Sequence, residues 1–229
     1  MITKLLAAAA MVAGLNAQAL GADEGRTAIH ESSTQVQPLL PGMEAPAFEV
    51  LTVEGEPFRF EPGALEKPVI LTFFRGGWCP YCNLYLSELR EAQQPLEDLG
   101  FDLWFVSVDQ PEKLYASLED PDIGYTIFSD ARLDATRSFG IAFRVPDALV
   151  ERYREFGIDL EEASGETHHV LPAPSLFLIG EDGLVHFQYT NPDYRVRLHP
   201  DVLIAAAKAY RQDADARLQR LYDEKKKTQ

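Results

Sequence analysis

The chain has two cysteines, Cys79 and Cys82, and they stand at a junction that constrains the fold more than any other feature. Ahead of them runs PVILTFF, Pro68 to Phe74, a continuous apolar stretch rich in β-formers. Such a run suits a central strand buried on both faces. Behind them Leu84, Leu86, Leu89, Ala92 and Leu96 follow a roughly helical period, with Glu88, Arg90 and Glu91 between. A Cys-x-x-Cys pair between a buried strand and a helix places the first sulfur at the helix N-terminus, where free N–H groups and the helix dipole favour negative charge. The thiolate is the reactive form of cysteine, so this position lowers the pKa in the useful direction. Arg75 adds positive charge, and Trp78 offers an apolar wall. Pro80 suits the first helical turn. Cys82, one turn inside, is within reach of a mixed disulfide on Cys79 and could close a Cys79–Cys82 ring.

The rest of the chain predicts alternating strands and helices. Phe48–Val53 and Pro57–Phe60 read as short strands around the turn Glu54-Gly55-Glu56. Phe101–Asp109 reads as another buried strand, PEKLYASLE as a helix with Pro111 in its first turn, YTIFSD as a strand and ARLDATRSFG as a helix closed by Gly140. Pro95 should kink or end the helix after the cysteines. Beyond Pro146 comes a largely helical insertion. It leads to Pro174, read as a strand-start residue on a cis peptide, and to a hairpin of Ser175–Ile179 and Leu184–Thr190. A long helix from about Pro200 to Asp223 closes the chain. This order argues α/β layers around a mainly parallel sheet.

The ends and the charge set the setting. Lys4, an apolar run from Leu5 to Leu15 and the small-residue site Ala17-Gln18-Ala19 form a signal-peptide pattern, with a second reading that cuts after Ala22. The apolar run is too short to span a membrane, and no cysteine near the cut could carry a lipid. Residues 1–19 are therefore read as a signal peptide, 20–40 as a flexible linker and 41–229 as one domain including its C-terminal helix. The implied location is periplasmic or secreted, where thiol pairs tend to be oxidised. A net charge of −15 argues against nucleic acid and anionic lipid as partners.

Three readings of the cysteine pair compete. A structural disulfide would close a very short loop and add little stability. A zinc or copper site could join Cys79 and Cys82 to His168 or His169, just before Pro174. Redox exchange uses the helix N-terminus directly.

The stretches PGMEAPAF, FFRGGWCPYC, APSLFLIGEDG and NPDYRVRLHP together resemble the peroxiredoxin-like branch of the alkyl hydroperoxide reductase/thiol-specific antioxidant family. The resemblance covers roughly residues 41–210. It implies a thioredoxin-like fold: a central mixed sheet flanked by helices, with the helical insertion before the cis-Pro strand. It also implies an antioxidant oxidoreductase that reduces hydroperoxides or disulfides. Cys79 would be the attacking thiolate and Cys82 the resolving thiol. Arg75, Trp78, Pro80, Tyr81 and Pro174 would shape the site. No cofactor is implied, and a thioredoxin-like dithiol protein would re-reduce the pair. One departure stands out. The family's Pro-x-x-x-Thr-x-x-Cys pattern fits neither cysteine: Gly76 and Thr72 precede Cys79 at those spacings, and Cys79 and Arg75 precede Cys82. Pro80-Tyr81 is instead the dipeptide of glutaredoxins, which are disulfide exchangers. The resemblance also implies a second active-site arginine, which no motif places; Arg144 is the candidate.

Overall fold

In the computed structural model, residues 25–117 and 126–212 are described. The signal-peptide reading of residues 1–19 and the helix beyond residue 212 lie outside them. Strand β3 (Val69–Phe74) is the axis of the molecule, with all six side chains buried. It pairs in parallel with β4 (Asp102–Ser107) on one side and antiparallel with β8 (Ser175–Ile179) on the other. Together with β1 (Phe48–Thr52), β2 (Pro57–Phe60), β5 (Thr126–Ser129) and β9 (Val185–Thr190), they form a seven-stranded sheet in the order β2-β1-β5-β4-β3-β8-β9. Only β3·β4 and β4·β5 run parallel, so the sheet is mixed rather than mainly parallel. The hairpins at either end add antiparallel strands.

The pleat of β3 divides the core. Ile70 and Phe74 face one layer with Leu103, Phe105, Leu176 and Leu178. Against it pack Cys82, Tyr85, Leu89, Ala92 and Leu96, the buried stripe of helix α1 (Pro80–Asp98), at helical spacing. Leu203 and Ala207, from a helix spanning 200–212, complete that layer. Leu71 and Phe73 face the opposite layer with Phe48, Phe60, Phe139 and Phe177. Helix α2 (Pro111–Ser117) and helix α3 (Asp134–Ser138) follow β4 and β5.

Four expectations need correction or narrowing. Helix α1 runs through Pro95 to Asp98, so of the two outcomes expected there, a kink or an end, Pro95 does not end it. No cis peptide occurs among the described residues, so Pro174 enters β8 on a trans bond. The segment expected as a flexible linker is docked from His30 onward. His30 N–H donates to Ala142 O, Gln37 N–H donates to Gly140 O, and Leu39 is fully buried. The insertion holds α4 (Asp147–Glu155) and α5 (Leu160–Ser164), but it is closed by an unexpected two-stranded ladder of β6 (Ala142–Arg144) with β7 (Val170–Pro172). That ladder is too short for sequence alternation to reveal. It places Tyr153 of α4 next to the cysteine motif, in a satellite core that also packs on Trp78.

Candidate active site

The site begins where β3 ends. Five residues, Arg75 to Cys79, lead from the strand to α1. Cys79 is the N-cap of α1 in extended backbone, and Pro80 occupies the first helical position. Proline has no N–H, so that position adds no unpaired donor to the first turn. The loop is pinned from the next strand over. The Asp109 carboxylate, just beyond β4, accepts the Gly77 N–H at 2.8 Å and the Trp78 indole N–H at 3.1 Å. Gly76 has to be glycine, because a Cβ there would lie 2.2 Å from Trp78 Nε1 and 2.7 Å from Asp109 Oδ1. Burial pushes the Asp109 carboxyl up to about 7, against the pull of those two donors.

Both cysteines are free thiols with only 1 % of their surface exposed. They diverge in acidity. Cys79 is held down to about 6, first by a hydrogen bond from the Cys82 thiol, then by the Arg75 charge, the Cys82 backbone N–H and the Arg197 charge. Burial opposes this. Cys82 is pushed well above the usual thiol range, by burial and by its bond to Cys79. At neutral pH the pair therefore carries one thiolate, centred on Cys79.

Two arginines serve the two sulfurs. Arg75 is 4 % exposed and donates from Nη1 to Cys79 Sγ at 3.8 Å. Its Nη2 donates to the Tyr153 hydroxyl. The guanidinium lies 4.0 Å from the ring centroid of Tyr194, 5.0 Å from Trp78 and 5.4 Å from Tyr153. Aromatic faces replace carboxylates around this cation, and no ion pair to Arg75 forms among the described residues. On the other flank, Arg197 Nη2 donates to Cys82 Sγ at 3.2 Å.

The structure gathers Cys79, Cys82, Arg75 and Trp78 into one cluster. Tyr81 lies at its surface, edge-on to Tyr194 at 5.6 Å. Pro174 lines a cavity of about 330 Å³ that also has Arg75, Tyr153 and Tyr194 in its wall. Arg144 is not the second arginine: it points to the His168 carbonyl at 3.1 Å. His168 and His169 do not join the sulfurs either. His168 Nε2 donates to Ala131 O, its Nδ1 accepts the Val170 N–H, and His169 Nε2 pairs with Glu161 at 2.8 Å. No cluster of three or more His, Cys, Asp or Glu suited to a metal forms among the described residues. The residues that sequence reasoning missed are Tyr153, Tyr194, Arg197 and Asp109. Tyr194 and Arg197 lie in the NPDYRVRLHP stretch that carries the family likeness. Asp109 is an acid at the very end of a buried strand.

A mixed sheet with an activated dithiol at a strand-to-helix junction defines a thiol-dependent oxidoreductase of thioredoxin-like fold. The model of the AhpC/TSA family matches residues 41–188, and the chain belongs to that family. Peroxiredoxin Bcp of Escherichia coli (strain K12) is 25% identical over 169 residues, covering 74% of this chain and 96% of that protein. A putative peroxiredoxin bcp of Haemophilus influenzae is 29% identical over 106 residues, covering 46% and 68%. Among solved structures, a cysteine-to-serine mutant of peroxiredoxin 6 of Arenicola marina superposes with a TM-score of 0.62 at 15% identity, covering 77% of this chain and 76% of that one. Peroxidoxin BcpB from Mycobacterium tuberculosis gives 0.57 at 19% identity, covering 74% and 96%. The protein is a peroxiredoxin-like thiol oxidoreductase.

Proposed function

We propose that the chain reduces hydroperoxides through a Cys79/Cys82 dithiol–disulfide cycle. The Cys79 thiolate attacks the terminal peroxide oxygen, the O–O bond breaks, and the alcohol or water leaves with a proton. Cys79 is left as a sulfenic acid. Cys82 then attacks that sulfur, water departs, and a Cys79–Cys82 disulfide forms. With no further cysteine in the chain, an external thioredoxin-like dithiol protein returns the electrons by thiol–disulfide exchange.

The observation that carries this reading is Cys79 at a helix N-cap beside a buried, aromatic-caged Arg75, with its thiol held down to about 6. The Arg75 charge is placed to steady both the thiolate and the anionic leaving oxygen. The cavity beside Arg75 has Phe143, Val145 and Leu149 in its wall, which suits an organic group on the peroxide. The signal-peptide pattern of residues 1–19 supports export, so the cycle is proposed to run in an oxidising compartment.

Stopped-flow oxidation of the reduced protein by hydrogen peroxide tests the reading, with Trp fluorescence as signal and a small disulfide as the parallel acceptor. Trp78 adjoins Cys79 and reports its state. Oxidation far faster than that of a free thiol, lost in Cys79→Ser, is the expected result. Slow peroxide reaction beside fast disulfide exchange would make the protein a disulfide exchanger instead.

A further inference from the structure

Arg197 is a cation without an ordinary partner. It sits in the loop after β9, anchored by its neighbour Leu198, which is buried in the same core layer as both cysteines. Its Nη2 donates to Cys82 Sγ at 3.2 Å, and its Nε is buried with no hydrogen-bond partner. The guanidinium stands 5.8 Å from the Tyr85 ring. The Tyr85 hydroxyl is buried and pushed upward in pKa by that burial, so it stays neutral. No carboxylate pairs with Arg197 among the described residues. A part-buried guanidinium is unfavourable without a nearby anion, and at rest the Cys79 thiolate, whose charge it helps to hold, supplies one. Its hydrogen bond is aimed instead at Cys82, where an anion forms only during the reaction.

We propose that Arg197 is a catalytic residue for the resolving step, stabilising Cys82 as a thiolate while it attacks Cys79. The inference rests on the dithiol cycle above. In the resting protein burial first, then the hydrogen bond and negative charge of Cys79, oppose ionisation of Cys82. Oxidation of Cys79 to a neutral sulfenic acid removes the charge part of that opposition, while the Arg197 charge remains. The Cys82 thiol proton is released, its sulfur electron pair forms the S–S bond, the S–O bond of Cys79 breaks, and the departing hydroxide takes a proton to leave as water. The hydroperoxide is the oxidant, and the two sulfurs supply the two electrons. Each sulfur thus has its own arginine: Arg75 serves attack on the peroxide, and Arg197 serves closure of the ring.

The test is a two-phase experiment on the reduced full chain and its Arg197→Met, Arg197→Gln and Arg197→Lys variants. Hydrogen peroxide is the oxidant in one arm. A small aromatic disulfide is the oxidant in the other, where Cys82 must resolve a mixed disulfide on Cys79. Sulfenic acid is trapped with dimedone, and further oxidation is read by mass spectrometry. In Arg197→Met and Arg197→Gln, ring closure should slow by about tenfold or more, the change in thiolate fraction for one pKa unit. Formation of the sulfenic acid should slow far less. The longer-lived sulfenic acid should then accumulate as sulfinic acid at peroxide levels the parent tolerates. Arg197→Lys, which keeps the charge but not the fork, should recover closure to within about threefold of the parent. Unchanged closure with both oxidants in folded Met and Gln variants would overturn the proposal. So would a loss of peroxide attack as large as the loss of closure, which would move Arg197 to the first step. If the parent itself ignores peroxide, the peroxidase reading fails, and the aromatic-disulfide arm still decides the role of Arg197.

Discussion

Asp109 and Asp130 are the same device built twice. Each follows a parallel strand at its C-terminal edge, β4 for Asp109 and β5 for Asp130, where Ser107 and Ser129 stand in register. Each is 2 % exposed, and burial pushes each carboxyl up to about 7. Each accepts two N–H groups. Asp130 takes the backbone N–H of Ala135 at 3.1 Å and of Thr136 at 2.7 Å, the first turn of α3. Asp109 takes those of Gly77 and the Trp78 ring, in the loop that presents Cys79. Equal burial and equal acidity therefore do not mean equal function. What separates the two is which segment their donors belong to.

The largest contrast should come from Asp130→Ala. It strands two buried backbone N–H groups far from the sulfurs and should lower stability by about 3 kcal/mol. A lower urea midpoint with an unchanged Cys79 titration is expected. A shift in that titration would break the comparison.

Next comes Asp109→Asn, whose amide NH2 faces an N–H donor where a carboxylate oxygen accepted that N–H. Peroxide oxidation of Cys79 should slow by about tenfold, as expected when a positioning contact is lost. The thiolate absorbance at 240 nm should stay within a few tenths of a unit of the parent's midpoint near pH 6, because the Asp109 carboxyl, raised to about 7, is already mostly uncharged there. Asp130→Asn should leave that midpoint alone.

The pH dependence should be shared. Both folded carboxyls titrate near 7, above the ordinary 3.8. Folding therefore favours their protonated forms. That contribution is complete below about pH 4 and is lost as pH rises through 7. The stability deficit of either Asn variant against the parent should accordingly shrink from pH 4.5 to pH 8 in urea titrations. A deficit that grows with pH would mean the carboxylates, not the acids, are the stabilising forms.

The smallest effect belongs to Trp78→Phe. It removes one of the two donors to Asp109 and should cost about 1 kcal/mol in urea unfolding. The second tryptophan, Trp104, packs among Phe58, Phe60 and Phe128 and remains to report unfolding.

Much of this arrangement was legible in the chain. The apolar run Val69–Phe74 announced the central strand, and the period of Leu89, Ala92 and Leu96 announced α1. The Cys-x-x-Cys between them announced the thiolate position. Residues close in sequence, such as Arg75 and Trp78, could be read because backbone geometry alone brings them together. Tyr153, Tyr194 and Arg197 could not. They reach Arg75 and Cys82 through a two-stranded ladder and a loop after β9, and no local periodicity encodes those long-range contacts. Asp109 was visible only as an acid ending a strand, a description that fits Asp130 equally well. Arg144 failed for the same reason: its spacing gave no hint that β6 would aim it at a backbone carbonyl.

The central strand has a further consequence, in the order of synthesis. β3 lies between β4, which follows within thirty-odd residues, and β8, whose Ile179 pairs with Val69 across 110 residues of chain. Arg197 and Tyr194 follow later still. A growing chain therefore carries its cysteine pair long before it carries the strand that buries one edge of β3 or the side chains that roof the sulfurs. Contacts of such separation form slowly. The nascent protein passes through an interval in which its most reactive thiol has no roof, and a helper that shields thiols would find its substrate there.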